Sequence, residues 1–73
     1  MAESVYNVIE IIGTSPKSWA DAGRAAVERA SKTLRDLRVA EVVEQDIQIK
    51  DGKVELYRVK LSVSFKFEDT EKR

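Results

Sequence analysis

The plainest pattern in the chain is near its end. Tyr57, Val59, Leu61, Val63, Phe65 and Phe67 alternate with Arg58, Lys60, Ser62, Ser64 and Lys66. Alternation at period two makes a β-strand with one apolar and one wet face. Just upstream, Lys50-Asp51-Gly52-Lys53 carries an Asp-Gly pair, which suits a type I′ turn needing positive φ at both central positions. A hairpin partner is therefore expected over residues 39–49. Simple alternation there puts Val39, Val43, Ile47 and Ile49 on one face, and Val42 with Glu44 and Asp46 on the other. At the start, Val5, Tyr6, Val8, Ile9, Ile11 and Ile12 are interrupted only by Asn7 and Glu10. Apolar groups on both sides predict a strand buried on both faces, ended by Gly13.

Between these strands the period changes. Trp19, Gly23, Ala26, Ala30, Leu34 and Leu37 recur at spacings of three or four, which predicts one face of a helix reaching to Leu37. Ser15 suits the N-cap and Pro16 the first helical position, while Ser18 with Asp21 offers a competing capping box one turn later. Small residues in the first half let this helix lie close to what it covers. Arg35 and Arg38 would face the negative pole of its dipole.

The order is β-α-β-β, an α+β fold with a three-stranded antiparallel sheet wrapped on one helix. All 73 residues are expected to form a single domain with an ordered core over residues 5–68, ending in a charged tail. A final strand over residues 54–67 would run roughly 45 Å at ~3.4 Å per residue. A compact chain of this length has a radius of gyration of only about 11 Å. The hairpin therefore overhangs its own helix, and its apolar face is expected to meet a second copy. The composition agrees. Chains this short usually need a staple, and with no cysteine and no histidine neither disulfides nor thiolate or imidazole metal sites can supply one. Self-association remains.

Thirteen basic and thirteen acidic residues cancel, so the basic excess of a nucleic-acid binder is missing. The acidic start and the lack of any long apolar run argue against a secretory signal or membrane span, which leaves a cytoplasmic protein as the expectation. Without His or Cys, acid/base chemistry would require carboxylates with shifted pKa values, and no spacing singles out such a pair. A non-enzymatic protein is expected.

The element order, the Gly13-Thr14-Ser15-Pro16 joint, the Ala40-Glu41-Val42 segment and the closing Val63-Ser64-Phe65-Lys66-Phe67 together resemble the dodecin family. The resemblance implies a hollow homododecameric shell with helices outside and sheets within. It also implies storage of flavin (riboflavin or a derivative), held in pairs between symmetry-related subunits. In flavin-binding members a tryptophan at the start of the second strand stacks on the isoalloxazine ring; that position here is Val39. A glutamine in the last strand that bonds the flavin's polar edge is replaced by Arg58. Valine provides no stacking plane, and a guanidinium has donors but no acceptor. Arg58 and Glu44 are expected to fill this altered ligand pocket as an ion pair. The stretch from Arg38 to Asp46, with Tyr57-Arg58-Val59-Lys60-Leu61, is more similar to the calcium dodecin branch, which implies bound calcium in place of flavin.

Glu44 and Asp46 are the metal candidates, since alternate strand residues share a face and Gln48 continues it. A solvated or ion-paired surface is the simpler account of them. Arg58, Lys60 and Lys66 could attract an anion, or merely keep the strand wet. Trp19, Tyr57, Phe65 and Phe67 are expected to serve packing, including contact between copies, rather than ligand stacking. Calcium is the favoured ligand, with flavin and a ligand-free structural assembly as the alternatives.

Overall fold

In a computed structural model, the structure describes residues 4–66. Phe67 and the charged tail over 69–73 lie outside them. Strand β1 spans Tyr6–Ser15, helix α1 Trp19–Ala30, strand β2 Leu37–Lys50 and strand β3 Lys53–Lys66. The sheet order is β1-β3-β2, antiparallel throughout. The strand with the strictest alternation is therefore the central one. Asp51 and Gly52 take φ values of 52° and 75°, the left-handed pair that a two-residue hairpin demands.

The core is small: Ala22 from α1 with Val59, Leu61 and Val63 from β3. Ile9, Ile11, Trp19, Ala26, Val27 and Leu37 pack partly against it. Helix and sheet approach closely at Gly13, where a Cβ would overlap the Ala22 carbonyl oxygen and stand 2.8 Å from Ala26 Cβ. Only glycine fits there. It does not end the strand, since β1 continues to Ser15.

Of the two competing caps, Ser18 is the one used: it is extended (φ −169°, ψ 164°) and its Oγ accepts from the Asp21 backbone N–H at 3.0 Å. Ser15 instead closes β1, buried, and accepts from the Lys17 N–H at 3.0 Å. The helix also stops at Ala30, short of Leu34 and Leu37. Ser31 Oγ donates to the Glu28 carbonyl (2.9 Å) and Thr33 Oγ1 to that of Ala30 (3.3 Å). Such hydroxyls compete with the helical ladder. Asp36, at φ 58°, then turns the chain into β2, so Leu37 reaches the core from a strand.

A further correction concerns the faces of β2. Its register against β3 slips between Leu37 and Val39, between Val42 and Glu44, and between Gln48 and Ile49. Each extra residue inverts the side-chain parity beyond it. Val39 therefore shares a face with Glu44 and Asp46, while Val42 and Ile47 lie on the opposite, helix-side face with Leu61 and Tyr57.

One twelve-residue helix, about 18 Å long, cannot cover this sheet. The molecule measures 57 × 20 × 13 Å with a radius of gyration of 15.4 Å, against the ~11 Å of a compact chain. Every residue of β2 after Leu37 is exposed. On β1 the residues of the sheet face turned away from α1, here termed the outer face, are bare as well: Tyr6, Val8 and Ile12; within one chain this strand is packed on its helix side alone. Among the described residues no helix is long and apolar enough to cross a membrane.

Candidate functional site

The sheet face away from α1 carries the polar side of β3, and the register brings β1 and β2 residues beside it in rows. Thr14, Arg58 and Asp46 form one row; Ile12, Lys60 and Glu44 the next; Val8, Ser64 and Val39 lie further along. Side chains directly opposed across strands stand close enough to interact. Arg58 Nε donates to Asp46 Oδ1 at 2.8 Å and its Nη2 to Oδ2 at 3.1 Å, the fork geometry that makes guanidinium–carboxylate pairs the strongest of their kind. Lys60 Nζ lies 3.5 Å from Glu44 Oε1. A shallow cavity of about 170 Å³ opens among Ile12, Glu44, Asp46, Arg58 and Lys60.

The expected pairing of Arg58 with Glu44 is thus corrected to Arg58 with Asp46. Counting outward from the Asp51-Gly52 turn puts Tyr57 opposite Asp46. Glu55, the unpaired residue of the nearest bulge, moves Arg58 into that place. The Arg58 hydrogen bond, aided by its charge and opposed by slight desolvation, holds the Asp46 carboxyl below its ordinary value. The same bond and the Asp46 charge push Arg58 up, with a smaller contribution from Glu44. Gln48 continues the face, but its Nε2 is engaged by Glu55 Oε1 at 2.9 Å.

The four aromatic packing candidates divide. Trp19 and Tyr57 meet edge-on, centroids 5.2 Å apart and planes at 74°. Phe65 lies half-buried between Asn7 and Leu37 at the far end of β3. Phe67 falls outside the described residues. Periodicity gave no hint that Trp19 Nε1–H donates to the Asp46 carbonyl at 3.0 Å. A lone tryptophan at a helix start with an apolar strand downstream was the only available signal.

The sequence and the fold both match one family of known proteins. The family model described as Dodecin covers residues 5–68. This chain belongs to the dodecin family. It is 50% identical over 70 residues to a protein named calcium dodecin from Mycobacterium tuberculosis, spanning 96% of this chain and 99% of that one. A solved structure of that calcium dodecin, described as calcium chelating and as having a novel calcium-binding site, superposes with a TM-score of 0.80 at 53% identity, covering 92% of this chain and 96% of that one. The dodecin of Streptomyces coelicolor superposes with a TM-score of 0.89 at 43% identity, over 94% and 99% of the two chains.

Measured against calcium's need for six to eight oxygens, the described residues of one chain bring too few carboxylates together. Glu44 and Asp46 do share a face, but each is already engaged by a cation. Among the described residues there is no group of three or more metal-ligating side chains. Of the positions that the resemblance implies for a flavin, Val39 is aliphatic and 62% exposed, and Arg58 is tied to Asp46.

Proposed function

We propose that this chain assembles with copies of itself into a non-enzymatic dodecin shell of twelve single-domain subunits that takes up a small ligand, calcium in preference to flavin. The preference is carried by the outer face. Where a flavin requires a stacking plane and an amide, the chain offers Val39 and a guanidinium clamped by Asp46. The calcium dodecin relative supports the same choice. Assembly is supported by the length of the uncovered β2. A calcium sphere must then be completed between copies, with carboxylates such as Glu44 or Asp46 joined by oxygens from neighbouring chains. Neutral net charge supports no nucleic-acid partner.

Two titrations of the assembled protein test this. Calcium followed by calorimetry is expected to give saturable heat, and riboflavin followed by its fluorescence is expected to show little quenching. Strong quenching at one flavin per chain would overturn the preference. Absence of both signals would leave a purely structural assembly.

A further inference from the structure

The carboxylate that clamps Arg58 belongs to an unusual piece of strand. Residues 44–48 of β2 pair regularly with β3 but are bracketed by register slips on both sides. All of them are exposed, and β2 contributes only Leu37 to the core. A two-point fork of 2.8 and 3.1 Å nevertheless demands that this short segment keep its place relative to Arg58. The ladder to β3 supplies part of that constraint. The remainder comes from the helix: Trp19 Nε1 reaches the Asp46 carbonyl at 3.0 Å, while its ring is held edge-on by Tyr57, the residue beside Arg58. Asp46 is thus held twice, by its backbone from the helix and by its side chain from the outer face.

We propose that Trp19 is a positioning residue for the outer-face site. By fixing the Asp46 backbone it holds the carboxylate that restrains Arg58, so the seating of the helix N-terminus and the state of the ion pair are coupled across the sheet. A ligand that draws Asp46 or Arg58 away loosens Trp19, and a loosened Trp19 releases Arg58. The groups facing the pair are Thr14 in its own row and Lys60 with Glu44 in the next. Lys60 and Glu44 engage one another, so the restraint on Arg58 comes from Asp46. The coupling is a property of the unliganded chain; its use in ligand choice rests on the function proposed above.

The test uses the assembled, ligand-free protein, so its outcome is separate from that of the calcium and riboflavin titrations. Asp46→Ala keeps the backbone carbonyl but releases Arg58. Contacting residues couple by amounts equivalent to roughly a fivefold change in an equilibrium constant, and the indole N–H of the single tryptophan is expected to exchange with solvent about that much faster in this variant. A second measurement is a double-mutant cycle in urea. Trp19→Phe retains a ring against Tyr57 without the donor, and Arg58→Met retains the stem without the charge. The two losses are expected to be non-additive, with Arg58→Met costing less once Trp19 is gone. A tryptophan serving packing alone would give unchanged indole exchange and strictly additive losses, and either result overturns the proposal. Should Trp19→Phe fail to fold, the exchange rate decides alone.

Discussion

At the scale of single residues, Gly13 and Asp46 show how differently a sequence reveals its constraints. Gly13 was legible as punctuation, but its reason was not: it lies inside β1 because the helix backbone passes directly over it. Gly13→Ala is expected to destabilise by about 1–3 kcal/mol, the usual cost of overpacking, and a lowered midpoint in thermal unfolding checks it. Asp46 was legible as an acid on a strand, but its partner was not, since that depends on a bulge at Glu55 that no local pattern announces. Its folded-state pKa lies below the ordinary 3.8. The pair's contribution is therefore present above that pH and lost as pH falls through the lower folded value. The pair is exposed, so the effect is small and weakened by salt. Acid unfolding at low ionic strength should show the parent losing more stability across this window than Asp46→Asn. The proposed preference against flavin gives a third test: Val39→Trp with Arg58→Gln is expected to raise riboflavin affinity, read by fluorescence quenching. No gain would mean that neither the Asp46 clamp nor the lack of a ring at position 39 bears on flavin binding.

At the scale of elements, types and order followed from periodicity, while ends and faces did not. The alternation of β3 and the Asp51-Gly52 turn placed the hairpin correctly because both are local signals. Two serines competed to start the helix. Ser18 prevailed with Asp21 to receive its cap, and Ser15 was taken into the strand. Ser18→Ala is expected to cost about 0.5–2 kcal/mol, measurable as a lower urea midpoint with an unchanged slope. The false extension to Leu37 arose because Leu34 and Leu37 keep helical spacing, although Ser31 and Thr33 already divert the last carbonyls. On β2, strict alternation misassigned Val39 and Val42 because bulges change parity without leaving a mark in composition.

At the scale of the molecule, the overhang was visible from residue counts as a final strand of roughly 45 Å at ~3.4 Å per residue against a compact radius of about 11 Å; the structure sharpens it to a ribbon 57 Å long under a helix of about 18 Å. It was the firmest quantitative inference from the sequence, and the radius of gyration bears out the overhang. Phe65, half-buried where β3 meets Leu37 and Asn7, stands at the rim of a groove of about 450 Å³. Phe65→Asp places a charge that is costly to bury and is expected to abolish the proposed assembly. Light scattering checks this: a variant that keeps a twelve-chain mass would show that this end of β3 is not a contact between copies.

The slips in β2 have one more consequence. An outermost strand of fourteen residues, rich in valine and isoleucine, is the kind of template on which chains stack without limit into fibres. Two extra residues within this strand, Arg38 and Val43, break up the straight row of free amides that such growth requires. The irregularities that reorient its side chains also keep a bare border from becoming a seed.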